Sequence, residues 1–270
     1  MANNKKPHLS VIFPAYNEAK RIPDTLLDVD KYLENQDYTY EILVVIDGAT
    51  DNTYEVIEGH RQLVHNLRII NNEKNHGKGY VVRQGMLEAK GKWRLFMDSD
   101  GSTAIEHIEK MWPLAKEHKV IIGTRDPKDA KGAKQEVRQS LLKYILGNMG
   151  NIMIQIMAVP GIWDTQNGFK LFHEEAAEKI FSRARMNRFS FDIEALAIAR
   201  KFGYKIGMIP VHWVNDPHST VTFIGPNGYV KVLLDLFKIR WNLMTGVYDK
   251  PRKQPYEKQT KQKENKEDTS

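Results

Sequence analysis

Lys92-Trp-Arg-Leu-Phe-Met-Asp-Ser-Asp-Gly-Ser102 begins as an apolar strand and ends in two carboxylates separated by one residue. Strand alternation would point the side chains of Asp98 and Asp100 the same way. In an open α/β sheet, ligands bind beyond the carboxyl ends of the strands, so both carboxylates would lie where a ligand binds. Two oxygen ligands suit a divalent cation that completes its shell with water and a diphosphate. The stretch therefore predicts an Asp-x-Asp metal site for a nucleotide-diphosphate substrate.

The same residues are also typical of a structural turn. Aspartate is a common N-cap after a strand, and Ser102 or Thr103 could cap a following helix. Taken alone, the two carboxylates do not distinguish these possibilities, so the surrounding sequence has to decide between them.

The composition indicates a folded protein with an anionic partner. A chain of 270 residues that is 41% hydrophobic and 27% charged can bury a core in one large domain. The absence of cysteine excludes a disulfide scaffold, a thiolate zinc site and a cysteine nucleophile, and is compatible with a reducing cytoplasm. The net charge of +6 suits phosphates or a membrane, and because no dense basic block occurs in the core, we expect no nucleic-acid partner.

Short apolar strands alternate with helices in the first half, which predicts a parallel sheet with helices on both faces. The predicted strands are Leu9–Phe13, Glu41–Ile46, Leu67–Ile70, Trp93–Met97 and Val120–Ile122. The predicted helices are Arg21–Glu34, one after Thr53, Tyr80–Ala89 and one around Ile105–Glu117. Polar turns follow several of these strands and would meet at one edge of the sheet, as a shared nucleotide site. Neither a Rossmann glycine motif nor a Walker A motif is present.

Two stretches of the second half have amphipathic helical patterns. Tyr144 to Trp163 carries no charged residue, but its glycine, asparagine, glutamine and proline residues argue against a free-standing membrane span. Tyr229–Met244 has an apolar stripe of Val230, Leu233, Leu234, Phe237 and Trp241, and a polar stripe of Lys231, Asp235, Lys238 and Asn242. For both stretches, contact with a membrane surface and packing in the core remain alternatives.

The rest of the second half contains two strands and a helix between them. The polar turn that begins at Trp163 leads into a predicted strand that ends at Phe172. A helix is predicted to begin within Arg188–Glu194, and Lys205–Val211 is predicted to be a strand. Residues 1–8 are predicted to be a flexible N-terminus, residues 9–246 one domain, and residues 247–270 a disordered, lysine-rich tail.

Six motifs follow one another along the chain: Pro14-Ala-Tyr-Asn-Glu18, Asp47-Gly-Ala-Thr-Asp51, Gly77-Lys-Gly79, Asp98-Ser-Asp100, Gly123-Thr-Arg125 and Gln166-Asn-Gly-Phe-Lys170. In this order and spacing they resemble the family 2 glycosyltransferases of GT-A fold. Asp164–Phe172 and Phe191–Glu194 look most like the dolichyl-phosphate β-glucosyltransferases, with the dolichyl-phosphate mannose synthases as a second match. The resemblance implies an α/β GT-A fold, a mainly parallel sheet flanked by helices, with C-terminal amphipathic helices.

The sequence departs from these relatives at a few positions. They usually begin with a membrane-spanning helix, which this sequence does not show, so the resemblance leaves membrane attachment to the amphipathic helices. Asn167 and Ser99 stand where the family usually has Cys and Ala. Ser102 stands where the mannose synthases have Gln, which weakens the mannose interpretation.

The resemblance implies an inverting enzyme that moves a hexose, glucose from UDP-glucose, onto a polyprenyl (dolichyl-type) phosphate. The enzyme would be cytoplasmic and associate peripherally with the cytoplasmic face of a membrane. The alternatives are mannose transfer from GDP-mannose and transfer to a soluble glycan. A non-catalytic module that binds nucleotides or nucleic acid is less favoured, because the acidic motif would repel a phosphate backbone unless a cation were bound.

The same resemblance implies a role for each site residue. The donor nucleotide would be held by Pro14, Tyr16, Glu18, Asp47, Lys78 and Asp98, with Asp47 accepting a hydrogen bond from the base. Mg²⁺ or Mn²⁺ would be held by Asp98 and Asp100. The acceptor phosphate would be bound by Arg125, Arg138, Gln166 and Lys170. The catalytic set would be Asp98, Asp100, Arg125 and Asp164, the last of which would position the acceptor or a cationic partner.

Overall fold

A seven-stranded sheet organises the structure, a computed structural model that describes residues 6–136, 150–214, 226–253 and 256. Its strands are β1 (Leu9–Ala15), β2 (Tyr40–Asp47), β3 (Leu67–Asn72), β4 (Trp93–Met97), β5 (Val120–Thr124), β7 (Phe169–His173) and β8 (Ile206–Pro210). They lie in the order β3-β2-β1-β4-β7-β5-β8. A separate, parallel pair joins β6 (Lys134–Glu136) to β9 (His212–Val214).

Helices cover both faces of the sheet. They are α1 (Ile22–Glu34), α2 (Thr53–Gly59), α3 (Lys78–Glu88), α4 (150–157), α5 (Glu174–Phe181), α6 (Phe191–Lys201) and α7 (Pro226–Met244). Strand alternation divides the apolar side chains: Val11 and Phe13 join the cluster that packs under α1, whereas Ile12 joins the cluster under α3, α5 and α6. Both faces of the sheet are therefore buried, as an α/β architecture requires.

Strand β7 is antiparallel to both of its neighbours, β4 and β5, while the other strand pairs of the sheet are parallel. Because β7 runs the opposite way, its first residues lie beside the carboxyl ends of β4 and β5. Met97 is opposite Phe169, and Ile122 is opposite Lys170. This reversal brings the polar residues just before β7 to the edge where the Asp-x-Asp motif ends β4.

The predicted fold class is confirmed, with local differences. The helix expected around Ile105–Glu117 is instead two short 3₁₀ helices, Ile105–Lys110 and Leu114–Lys116. Pro113 precedes the second one, and a proline lacks the N–H that a continuous α-helix would need there. Helix α5 and strand β6 were not predicted. Residues 144–149 of the uncharged stretch Tyr144 to Trp163 lie outside the described residues, and its next part forms α4, in which Ile154 is buried and Ile152 and Ile156 are exposed.

The described chain stays attached to the domain beyond the boundary that we predicted after residue 246. Val247–Asp249 form a 3₁₀ helix, the side chain of Tyr248 is fully buried, and the Arg252 N–H donates to the Ser182 carbonyl oxygen at 2.8 Å. One buried aromatic side chain thus fixes the start of a segment that is otherwise polar. Residues 257–270 of the predicted tail lie outside the described part of the chain.

Helix α7 does not bury the apolar stripe that its sequence pattern predicts, but another face of the helix. Leu236, Ile239 and Asn242 face the interior. Its large exposed apolar side chains are Val230, Leu234, Phe237, Trp241 and Met244. The core-packing alternative is therefore wrong for most of the predicted apolar stripe. None of the described helices combines the length and apolar character that crossing a bilayer requires.

Candidate active site

The loops that follow β1, β2 and β4 are hydrogen-bonded to one another at the carboxyl edge of the sheet. The Thr50 N–H donates to Asn17 Oδ1 at 2.8 Å, which ties the loop after β2 to the loop after β1. Ser99 Oγ donates to the Pro14 carbonyl oxygen at 3.2 Å, which ties the loop after β4 to the same place. These bonds hold the predicted donor motifs together as one site.

Asp47 ends β2 and organises the turn before α3. Its two carboxylate oxygens accept the backbone N–H groups of His76 at 2.7 Å and Gly77 at 2.8 Å. Gly77 has φ +102°, and a Cβ there would lie 2.4 Å from the Asn187 carbonyl oxygen, so the turn requires glycine. Asp47 therefore sets the position of Lys78, the first residue of α3. Its predicted bond to a nucleotide base stays a prediction.

The Asp-x-Asp carboxylates have different partners. Lys78 Nζ donates to Asp98 Oδ1 at 2.6 Å, whereas Asp100 Oδ1 accepts the Ser102 N–H at 3.0 Å. Burial lowers the pKa of Lys78, but attraction to Asp98 outweighs it and leaves that pKa raised. Among the described residues, no cationic side chain forms an ion pair with Asp100. Asp98 is thus already paired with a lysine, whereas the charge of Asp100 is available to a bound cation.

Gly168 allows the chain to pass directly beside Asp98. A Cβ at this position would lie 2.0 Å from Asp98 Oδ2, so any other residue here would displace the Asp98 carboxylate. The Asp98 N–H also donates to the Gly168 carbonyl oxygen at 3.0 Å. The glycine of the Gln-Asn-Gly-Phe-Lys motif is therefore explained by its contact with the Asp-x-Asp motif.

Arg125 forms a two-pronged ion pair with Asp164. Its Nε donates to Oδ2 at 2.8 Å and its Nη2 to Oδ1 at 2.7 Å, while its backbone N–H also donates to Oδ2. Burial raises the pKa of the Asp164 carboxyl, but the charge and hydrogen bonds of Arg125 outweigh it and hold that pKa below its usual value. The guanidinium also lies 5.4 Å from the centre of the Trp213 ring. Asp164 therefore fixes the direction in which Arg125 points.

Lys170 and Asp192 form a second buried ion pair. Lys170 Nζ donates to Asp192 Oδ1 at 2.6 Å and also to the Asn167 carbonyl oxygen. Burial raises the pKa of the Asp192 carboxyl above its usual value, although the charge and hydrogen bond of Lys170 oppose this. Asp98 also acts on the pKa values of Arg125 and Asp192, so the two pairs and the Asp-x-Asp motif share one site.

The structure brings most of the predicted residues to this site, but two of the cations predicted to bind the acceptor phosphate are already in ion pairs. Arg125 and Lys170 already have carboxylate partners, so an acceptor phosphate would have to share them. Gln166 is exposed in the turn before β7, and Arg138 lies outside the described residues. The acceptor roles of all four remain predictions.

The remaining donor residues lie in the loop after β1. Pro14 is in β1 and Tyr16 is 44% exposed just after it. Glu18 pairs with Arg21, with Nη2 2.7 Å from Oε1. Burial raises the pKa of Glu18 even though this arginine lowers it. Their donor roles also stay predictions.

Arg188 is a residue that sequence reasoning did not select. It is exposed, its Cγ would lie 3.0 Å from a Cβ at Gly77, and among the described residues no carboxylate pairs with it. The sequence signal was its place just before the Phe191-Asp-Ile-Glu194 motif. It offers the site a cation that is not already paired.

The chemistry of the Asp-x-Asp carboxylates fits the expected divalent cation, since carboxylate oxygens are the ligands that Mg²⁺ and Mn²⁺ prefer. Another group of possible metal ligands, Asp30, Glu34 and His65, lies near the C-terminus of α1 and before β3, at the opposite edge of the sheet. In that group, His65 Nδ1 is 2.9 Å from both Asp30 Oδ2 and Glu34 Oε1. The group is remote from the site, so it supplies no ligand there.

Asn167 is fully buried, and neither atom of its side-chain amide has a hydrogen-bond partner among the described residues. We expect Asn167→Cys to raise the free energy of unfolding by about 1 kcal/mol, because an unsatisfied buried polar group costs about 1–3 kcal/mol. Urea unfolding at an unchanged m-value would measure this.

A matched control is Asn72→Cys. Asn72 is also buried, but its Nδ2 donates to the Ile46 carbonyl oxygen at 3.0 Å and to Gln84 Oε1 at 2.8 Å. This control should lose stability. A loss of similar size in Asn167→Cys would show that the Asn167 amide has a partner in solution.

Comparisons with known proteins place this site in a family. Residues 10–181 match the profile of "Glycosyl transferase family 2". The chain is 34% identical over 252 residues to a dolichyl-phosphate beta-glucosyltransferase of Trichomonas vaginalis, covering 89% of this chain and 73% of that protein. It is 33% identical to the human dolichyl-phosphate beta-glucosyltransferase over 257 residues, covering 89% and 77%.

Solved structures show the same fold. Glucosyl-3-phosphoglycerate synthase from Mycobacterium tuberculosis in complex with UDP superposes with a TM-score of 0.64 at 15% identity, covering 87% of this chain and 80% of that one. The same synthase with Mn²⁺, UDP-glucose and phosphoglyceric acid gives a TM-score of 0.59 over the same shares. The chain therefore belongs to glycosyl transferase family 2 and is a glycosyltransferase, similar along most of its length to the dolichyl-phosphate beta-glucosyltransferases.

Proposed function

We propose that this glycosyltransferase moves glucose from UDP-glucose onto a polyprenyl phosphate, with inversion at C1, at the cytoplasmic face of a membrane. The observation that carries the proposal is the similarity to dolichyl-phosphate beta-glucosyltransferases over 89% of the chain. The charges of the site and the exposed face of α7 support the donor and the acceptor separately.

The donor diphosphate would lie between the Asp-x-Asp motif and the start of α3. Asp98 and Asp100 would hold Mg²⁺ or Mn²⁺, which supplies positive charge to the departing nucleoside diphosphate. Lys78, 2.6 Å from Asp98, adds a cation of the protein at the same place. Asp47 and Gly77 keep that lysine in position through the turn before α3.

The acceptor phosphate needs positioning rather than deprotonation. A phosphate monoester is already anionic near neutral pH, so its oxygen can attack C1 without a strong general base. A guanidinium matches phosphate oxygens in a fork, and Arg188 is the exposed arginine beside Gly77. Arg125 and Lys170 would act from their ion pairs with Asp164 and Asp192. Attack from the face opposite the leaving group would invert an α-linked donor to a β-linked product.

The exposed stripe of α7 supports a lipid-borne acceptor. Leu234, Phe237 and Trp241 are 62%, 59% and 64% exposed, which is unusual for three large apolar residues on one helix face. Exposed lysines and an arginine, Lys231, Lys238 and Arg240, lie on the same helix. An apolar face next to basic residues is typical of helices that lie in the interface of an anionic membrane. We therefore assign α7 to the membrane surface.

Leu234→Glu should weaken binding to anionic liposomes by about tenfold or more, because losing the burial of one leucine removes about 1.5–3 kcal/mol. Cosedimentation with phosphatidylglycerol-containing vesicles would measure it. The matched control is Leu63→Glu, since Leu63 is 59% exposed but lies between α2 and β3. Equal binding by the two variants would contradict the assignment of α7.

A transfer assay tests the whole proposal. Purified protein would be given labelled UDP-glucose or GDP-mannose, a short polyprenyl phosphate, and Mg²⁺ or Mn²⁺. We expect a glucolipid that forms from UDP-glucose only when the metal is present. A mannolipid from GDP-mannose alone would overturn the donor, and hydrolysis of UDP-glucose without glucolipid would overturn the acceptor in favour of a soluble glycan.

A further inference from the structure

Glu194 is fully buried in α6 and is an acceptor for a neighbouring segment of backbone. Its carboxylate accepts the Arg185 N–H at 2.8 Å and the Met186 N–H at 2.8 Å. It also accepts the Tyr248 hydroxyl at 2.8 Å. Burying a carboxylate is unfavourable unless its oxygens are hydrogen-bonded, so these donors fix both the carboxylate and the segment that begins at Arg185.

The segment held by Glu194 packs on the start of α3, where the donor site is. The Asn187 carbonyl oxygen accepts the Tyr80 N–H at 3.1 Å, and Arg83 Nη2 donates to Asn187 Oδ1 at 2.8 Å. A Cβ at Gly79 would lie 2.8 Å from the Met186 carbonyl oxygen, so the two backbones are in direct contact. A shift of this segment would therefore move the residues around Lys78.

The same carboxylate is connected to the helix that we assign to the membrane. Asn242, on the inner face of α7, donates from Nδ2 to the Tyr248 hydroxyl oxygen at 3.2 Å. Ser190 Oγ, just before α6, donates to Asp235 Oδ2 of α7 at 2.6 Å. The segment between Arg185 and Ser190 is thus held from two sides, by Glu194 and by α7.

We propose that Glu194 is a positioning residue of the donor site, which with Tyr248 holds the segment Arg185–Phe189 against Gly77–Gly79 so that Lys78 faces the donor diphosphate. The inference rests on the proposed function for the ligand, a nucleoside diphosphate. It adds that the C-terminal segment after α7 helps to build a site that the Asp-x-Asp motif alone does not complete.

Tyr248→Phe is the sharpest test, because it removes one hydroxyl and leaves the buried ring. We expect the Kd for UDP with Mn²⁺, measured by calorimetry, to rise about tenfold, which corresponds to about 1.4 kcal/mol, because Glu194 loses a hydrogen bond that holds it in place. The matched control is Tyr40→Phe, which removes a hydroxyl that donates to Asp30 Oδ1 at 2.8 Å, far from the site. It should leave the Kd unchanged.

Hydrogen exchange on the protein without ligand gives a second measurement. The amides of residues 77–83 should exchange faster in Tyr248→Phe than in wild type, and Tyr40→Phe should not change them. Glu194→Ala should act like Tyr248→Phe but more strongly. Glu194→Gln should keep most of the affinity for UDP, because its amide oxygen can accept the Arg185 and Met186 N–H groups while its N–H donates to the Tyr248 oxygen.

Wild-type affinity for UDP in Tyr248→Phe would overturn the inference, and this variant keeps the test valid if Glu194→Ala does not fold. A wild-type protein that binds neither UDP nor GDP would instead contradict the proposed donor. Exchange in the unliganded protein would then decide: unchanged rates at residues 77–83 in Tyr248→Phe overturn the positioning role, and faster rates support it.

Discussion

Asp100→Asn is expected to lower metal-dependent sugar transfer by about a thousandfold or more, because the metal supplies several kcal/mol of charge stabilisation in the transition state. The substitution keeps the size of the side chain and its acceptor oxygen for the Ser102 N–H, 3.0 Å away in the structure. It removes the charge that no cation of the described residues neutralises. The rate of glucolipid formation at saturating Mn²⁺ would measure the loss.

Ser102→Ala is the matched control for this loss. Ser102 is buried beside Asp100, and its side-chain hydroxyl has no partner among the described residues, whereas its backbone N–H, which bonds to Asp100, is kept. Its transfer rate should stay within about threefold of wild type, as expected for a change that removes no transition-state contact. Equal losses in the two variants, or an unchanged rate in Asp100→Asn, would remove Asp100 from the metal site.

The fold and the position of the site were predictable because local patterns determine them. Trp93–Met97 was predicted with the bounds that the structure has, since a run of apolar residues is followed at once by two aspartates. The carboxyl ends of parallel strands meet at one edge, so the motifs after β1, β2 and β4 had to converge. The same reasoning could not foresee that β7 is antiparallel, because pairing direction depends on contacts between distant parts of the chain.

The partners of the charged residues were the part that the sequence could not supply. Arg125 and Lys170 were predicted to bind the acceptor phosphate, and Asp164 to position the acceptor or a cationic partner. Neither motif shows that this partner is Arg125, or that Asp192 pairs with Lys170. Such pairs join residues 39 and 22 positions apart. Likewise, the sequence pattern of α7 separates an apolar stripe from a polar one, but it does not show which of them faces the core. Only the packing shows that Phe237 and Trp241 are exposed and that Asn242 is buried.

The position of Lys170 leads to a second large effect, on stability. Lys170→Met should lower the free energy of unfolding by about 3–5 kcal/mol, because removing one partner of a buried ion pair leaves the other charge uncompensated. Lys170 and Asp192 are 1% and 5% exposed, so solvent cannot replace the lost partner. Chemical denaturation would measure the change. Lys119→Met is the control, since Lys119 pairs with Glu175 at 2.5 Å on the surface, where solvent can replace the lost partner, and its loss should change stability far less.

The double variant Lys170→Met/Asp192→Asn separates stability from the predicted acceptor role. Removing both charges should recover at least half of the lost stability, because neutral replacement of a buried ion pair is often tolerated. If Lys170 also binds the acceptor phosphate, the recovered protein should still transfer slowly, with a raised KM for polyprenyl phosphate and an unchanged Kd for UDP. Full recovery of the transfer rate would show that the ion pair has only a structural role and that Lys170 does not bind the acceptor phosphate. No recovery of stability would mean that the side chains are held by packing rather than by their charges.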